Sequence, residues 1–261
     1  MSLTGKSPSE TYKDIAYVDN SNNGVTTSLK QVKTGSGSST ALQVSDRALL
    51  VKSSTNNTTA LDVQNASGAS KLLVDTTNNY VKANGVHVNT MYKEFGTFDH
   101  SPAAGYHYPL VANNMMFSDS GTDWGVMVGF GNGTDPATSL DVSAHTSYPL
   151  NTTGAMWYIM DAITIDQIRV TAMCNSSENL NFHVFSYDLD TSSNNGDLSG
   201  GTLIAHIGSV MAASTTTIKT DTLAIDSADI AANKVLIAFY ENEDGTGDVT
   251  CQLNIKYHIT G

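Results

Sequence analysis

The chain has 261 residues and a formal charge of −12, from 13 basic and 25 acidic side chains. Residues 1–89 carry 8 basic and 6 acidic groups, whereas residues 90–261 carry 5 and 19. So acidic a distal region repels phosphate backbones and argues against nucleic-acid binding, and no run approaches the ~18 apolar residues of a membrane-spanning helix.

Glycine is frequent, at 21 residues, and proline sparse, at 5. Thr, Val, Ile and Tyr suit pleated strands while Gly and Asn supply tight turns, so an all-β protein is expected. The opening Met1-Ser2-Leu3-Thr4-Gly5-Lys6-Ser7-Pro8 lacks the apolar core of a signal peptide, which predicts synthesis and assembly in a cytoplasm. Cys174 and Cys251 lie far apart in strand-like runs and are expected as buried free thiols.

Residues 1–38 read as an extended arm. Tyr12 to Val18 is a strand candidate, Asp19 to Gly24 a turn and Val25 to Lys33 a second strand, before the flexible Gly35-Ser36-Gly37-Ser38. The arm has too few apolar residues for a core, so it is either disordered or docked on something larger. Tyr12, Ile15, Tyr17 and Val18 are its candidate attachment contacts.

Residues 39–89 repeat imperfectly. Ser39-Thr40-Ala41-Leu42-Gln43-Val44, with Ala48-Leu49-Leu50-Val51-Lys52 after it, is echoed by Thr58-Thr59-Ala60-Leu61-Asp62-Val63-Gln64 and then Lys71-Leu72-Leu73-Val74-Asp75. Each copy is two short apolar strands around polar turn residues, the signature of an elongated array. Burying its few large side chains would return less free energy than ordering the ribbon costs, and an isolated hairpin is marginal in water. The array is therefore expected to be completed by other copies of the chain, three around a shared apolar axis. Leu42, Val44, Leu49, Val51, Leu61, Val63, Leu72 and Val74 form the expected trimer core.

Leu3-Thr4-Gly5-Lys6-Ser7-Pro8-Ser9-Glu10-Thr11-Tyr12-Lys13-Asp14, Asn20-Ser21-Asn22-Asn23-Gly24-Val25 and Thr40-Ala41-Leu42-Gln43-Val44-Ser45 together resemble the N-terminal region of fibre and other virion structural proteins of tailed bacteriophages, notably marine ones. Leu72 to Gly85 is similar to fibre-stem repeats that end in an Asn-Gly turn. The resemblance covers about the first third of the chain. It implies attachment to other virion proteins, of tail or capsid, through the N-terminus, and a trimeric β-rich stem carrying a distal head.

Residues 90–261 are long enough for their own core. Strand candidates are Met115 to Phe117, Gly125 to Phe130, Met156 to Ile159, Ile163 to Met173, Leu180 to Tyr187, Thr202 to Val210, Thr215 to Ile218, Lys234 to Tyr240 and Val249 to Ile259. Short strands joined by Gly/Asn/Ser/Asp loops predict a β-sandwich head of jelly-roll type. Asp226 to Asn233 offers a cap, an alanine-rich turn and an Asn stop, and predicts a short helical connector.

Little in the chain points to catalysis. No Gly-x-Ser-x-Gly elbow occurs, and Gly129-Phe130-Gly131-Asn132-Gly133-Thr134 lacks the last glycine of a dinucleotide loop and reads as a hairpin. Asp99-His100 and His107 form the best histidine cluster, yet their spacing is not that of a zinc site, so no metal ligand is assigned. Two acidic loops, Asp188 to Asp197 and Glu241 to Asp248, have the oxygen donors calcium needs without the order of an EF-hand, and read first as solvated turns. Paired carboxylates for glycoside cleavage need a groove that abundance of acids alone does not provide.

Aromatic rings beside Gly/Pro/Asn-rich loops suit glycan stacking. Tyr106 and Tyr108 are expected as the exposed pair, while Met156 to Met160 reads as core or subunit interface. The expected function is a non-enzymatic, homotrimeric phage virion fibre, assembled in the host cytoplasm and presenting a head to host-surface polysaccharide. A capsid-bound decoration, cement or head-fibre protein and a polysaccharide-degrading tailspike stand as alternatives.

Overall fold

Strand alternation and turn chemistry account for most of the observed architecture. The structure, a computed structural model, describes residues 16–21, 23–112, 130–132, 136–141, 154–190 and 197–260. Tyr12, Ile15 and the expected strand Met115 to Phe117 lie outside the described residues, as does Gly125 to Gly129. The chain divides into two compact units, Met1–Val88 and Asn89–Gly261.

The first unit holds two four-stranded meanders. One comprises β1 (Ala16–Val18), β2 (Lys30–Thr34), β3 (Ser39–Val44) and β4 (Leu49–Val51), and the other β5 (Leu61–Gln64), β6 (Ser70–Asp75), β7 (Tyr80–Ala83) and β8 (Val86–His87). Each copy of the sequence repeat is thus one hairpin, β3–β4 or β5–β6. The boundary expected after Ser38 falls inside the β2–β3 hairpin, so arm and stem residues share a sheet.

Side chains that bond the local backbone close these turns. Ser45 Oγ accepts from the Arg47 and Ala48 amides, and Asn65 Oδ1 accepts from Ser67 and Ala69. Asp75 Oδ1 accepts from the Thr77 and Asn78 amides, each at 2.9 Å. Asn84 and Gly85 join β7 to β8 with φ of 49° and 81°, the left-handed pair a two-residue hairpin turn demands.

The second unit is built from two antiparallel sheets. Its strands are β9 (Thr90–His100), β10 (Tyr106–Pro109), β11 (Val111–Ala112), β12 (Phe130–Asn132), β13 (Leu140–Asp141), β14 (Trp157–Tyr158), β15 (Ile163–Cys174) and β16 (Glu178–Asp190). They continue with β17 (Asp197–His206), β18 (Met211–Ala213), β19 (Lys219–Thr222), β20 (Ala224–Ile225), β21 (Asp229–Ile230), β22 (Lys234–Asn242) and β23 (Val249–Ile259). The larger sheet runs β12-β10-β22-β16-β17-β13, with β14, β18 and β20 at its margins; the smaller runs β11-β9-β23-β15-β19, with β21 beside β15. The chain crosses repeatedly between the two sheets, among other places between β9 and β10, β15 and β16, and β22 and β23.

The facing surfaces bury one core. Val249, Cys251, Leu253, Ile255 and Tyr257 point inward from β23, as the alternation of that run predicts. They meet Leu180, Phe182 and Val184 of β16 and Leu236, Ala238 and Tyr240 of β22. Strand β15 buries Ile163 and Ile165, then Ile168, Val170 and Ala172; a register shift between Ile165 and Gln167 absorbs the extra residue and keeps both apolar sets inward. Strand β22 is apolar on both faces because Val235, Ile237 and Phe239 pack with Phe185 and Tyr187 in a second cluster on the outer face.

The expected helical connector at Asp226 to Asn233 is not a helix. The Asp226 and Ser227 amides donate to Ile204 O, and Ala228 O accepts from Ile165, so neighbouring strands take the groups a helix would have paired internally. Asn233 ends the segment in a left-handed turn of φ 67° and accepts from the Tyr158 hydroxyl. Thr215 to Ile218, expected as a strand, is bent, and the strand follows at Lys219–Thr222.

Candidate interaction surfaces

Register gathers the repeat residues onto one-sided stripes. Leu42 pairs with Val51 and Val44 with Leu49, so the four share a face of the β3–β4 hairpin. Leu61 pairs with Val74 and Val63 with Leu72 in the same way, and Val81 and Ala83 continue this stripe across β7. Among the described residues these faces are not covered. Leu49 is 67% exposed and Val63 48%, Leu42, Leu61 and Leu72 are also exposed, and Val44, Val51 and Val74 are half-buried. Among the described residues of 16–88 the one buried side chain is Asp75, a turn former rather than a core residue. A cleft of about 400 Å³ between the two hairpins is lined by Val51, Ala60, Leu61 and Val74. Of the attachment contacts, Tyr17 is exposed and Val18 half-buried on β1.

The structure splits the tyrosine pair. Tyr106 is 44% exposed, but Tyr108 is 8% exposed, and its hydroxyl accepts from the Ala103 amide. Expectation of an exposed Tyr108 is therefore corrected: the two tyrosines share parity, but the register shifts between Tyr106 and His107, and Tyr108 faces inward to ring contacts with His100 and Tyr240. Tyr158 and Met160 are exposed while Ile159 is buried, and with Met91 and Ile259 they border a shallow groove of about 120 Å³.

Alternation also separates the two histidines grouped in the sequence. His100 lies within the core, its Nδ1 in contact with the Tyr240 hydroxyl. His107 lies on the outer face of the larger sheet, where it pairs in register with Glu241, which in turn pairs with Asn181. His183 is two residues along from Asn181 on the same face, with its ring centroid 5.0 Å from that of His107. His107 is fully buried and Glu241 4% exposed. Burial pushes the His107 imidazole down to about 4, helped by His183, while burial and the neighbouring Glu243 raise the Glu241 carboxyl against the Asn181 amide. No sequence spacing links these residues; they meet only because β10, β22 and β16 are neighbours.

The acids of the Glu241 to Asp248 turn bond to protein groups. Asn242 Oδ1 accepts from the Asp244 and Gly245 amides, Asp244 accepts from the Asn179 amide, and Asp248 accepts from the Asn175 side chain at 2.6 Å. Gly245 has φ 63°, and a Cβ there would lie 2.5 Å from the Ala104 nitrogen. Buried Glu178 underlies the turn. Burial raises its carboxyl, yet bonds from Ser176 and Thr246 outweigh this and hold it below the ordinary range. In the other loop Asp188 bonds to Lys234 at 2.5 Å, and Asn194 and Asn195 lie outside the described residues.

Both cysteines are free and buried, on adjacent strands β15 and β23. Burial pushes the Cys174 thiol up to about 11 and the Cys251 thiol higher still. Among the described residues no helix is long and apolar enough to cross a membrane.

No family model matches the chain, and no curated protein does. Among solved structures, a chain from the structure of the infectious bursal disease virus Gx strain aligns at a TM-score of 0.19 with 10% identity. The alignment covers 69% of this chain and 43% of that one.

Proposed function

We propose that the protein is a homotrimeric virion fibre of a tailed bacteriophage, attached by its N-terminal residues and presenting residues 89–261 as a jelly-roll-type head to host-surface polysaccharide. The observation that carries this reading is the apolar stripe of the first unit. Side chains such as Leu49 and Val63 face one way from regular sheets, yet no apolar side chain among the described residues of 16–88 is buried. Each leucine or valine that a partner covers stabilises the assembly by ~1.5–3 kcal/mol, and a cyclic trimer covers three equivalent stripes at once.

The N-terminal resemblance supports a virion location and synthesis in the host cytoplasm. Tyr106, exposed beside the turn that holds Glu243 and Asp244, supplies a ring with polar neighbours, the combination on which a sugar face stacks and bonds. Light scattering on the purified chain at micromolar concentration tests the reading. Three chain masses of 27.7 kDa each are expected in one particle, and a folded monomer refutes it.

A further inference from the structure

A groove of about 120 Å³ in the second unit is lined from β9, β14, β15 and β23. Met91, Tyr158, Met160 and Ile259 are exposed at its rim, and half-buried Trp157 and buried Tyr257 lie deeper. Its volume falls well below the ~300 Å³ at which small-molecule pockets begin, so it suits an inserted apolar side chain. Met160, at 77% exposure, is the most exposed large apolar side chain among the described residues.

We infer that the occupant is a second copy of this chain: in the assembly three such grooves meet, and the Met160 rim of each copy covers the groove of the next. The inference rests on the trimer proposed above and adds to it a contact between second units.

Position, charge and size identify the partner. The groove lies where the second unit begins, since Met91 is the third residue of Asn89–Gly261. Residue 88 is bonded to residue 89, so copies joined through residues 16–88 bring three of these ends together, and Val86 and Val88, just before the boundary, are exposed apolar residues too. Residues 90–261 carry 19 acidic against 5 basic groups, an excess that opposes contact between like surfaces. Asp161 is nevertheless the one charged residue lining the groove. Four partly exposed rim side chains fall short of the ~1,000 Å² total that a free-standing interface buries, so the partner is one that another contact already holds nearby. The groove is also preformed. Tyr158 donates its hydroxyl hydrogen to Asn233 Oδ1 at 2.6 Å, and the Trp157 and Tyr257 rings pack with centroids 4.9 Å apart. Docking therefore orders little that is not ordered already.

The test uses the full chain carrying Met160→Cys, treated with a short bis-maleimide. The native cysteines are buried with raised pKa values and stay unmodified. Cross-linked dimers and trimers are expected on a denaturing gel. Ile218→Cys is the control and should stay unlinked: Ile218 is also exposed but precedes Lys219, whose partner Ala172 is ~30 Å along β15 from Ile163 of the groove. Met160→Glu should lower the melting temperature by ~3–12 °C, because a carboxylate replaces an apolar contact in each copy. Light scattering on the same samples separates this contact from the trimer itself. A trimer in which Met160→Cys does not cross-link, or in which Met160→Glu melts within ~1 °C of the parent, overturns the contact and leaves the trimer standing. A folded monomer overturns both.

Discussion

Acid should weaken the second unit through His107. Its imidazole has a folded-state pKa of about 4 against the ordinary 6.5, because burial beside His183 disfavours the cation. Above pH 6.5 both folded and unfolded chains hold it neutral and it contributes no pH dependence. Between pH 6.5 and 4 the unfolded chain takes up a proton that the folded chain refuses, so stability falls with pH and levels off below about 4. The difference of 2.5 between these values corresponds to about 3 kcal/mol. At ~2–4 °C per kcal/mol for a domain of this size, the melting temperature drops by about 6–12 °C. Glu241 works the other way, since its raised pKa relieves a buried charge as the pH falls, and Glu178 adds a further loss below its unfolded range. Comparison with His107→Phe cancels both. Calorimetric melts of the two proteins from pH 7.5 to 4, in chelator, should diverge by about 3 kcal/mol. Parallel pH profiles, within ~0.5 kcal/mol, would refute the assignment of a buried, unpaired imidazole.

Leu49→Lys combined with Leu61→Lys should convert the proposed trimer to smaller species in light scattering. The same changes would alter a monomer's stability by no more than ~0.5 kcal/mol, because both side chains are exposed in the single chain. Gly245→Ala should cost ~1–3 kcal/mol in a thermal melt, since its φ of 63° and the Ala104 backbone both oppose a Cβ. Neither Cys174 nor Cys251 should react with a thiol reagent at pH 8 until the protein is denatured, given their burial and raised pKa values. Tyr106→Ala should abolish the proposed retention on host polysaccharide without moving the melting temperature, whereas Tyr108→Ala should destabilise by about 3 kcal/mol as a cavity.

Period-two alternation and turn chemistry are local properties, and what they govern was legible from residues alone. The inward set from Val249 to Tyr257, the hairpin at each repeat copy and the Asn84-Gly85 turn follow from a few consecutive side chains. The all-β class, the free cysteines and the common face of Leu61, Val63, Leu72 and Val74 follow likewise. Asp226 to Asn233 has helical local preferences, but its backbone is recruited by Ile204 and Ile165, which are distant in sequence. Tyr108 carries the same ring and the same strand parity as Tyr106, and a register shift between Tyr106 and His107, which no local signal encodes, accompanies its burial. His107, Glu241 and His183 became neighbours through strand order, decided by non-local pairing and burial together. No spacing along the chain encodes that order, so the charge environment of His107 belongs to the tertiary structure.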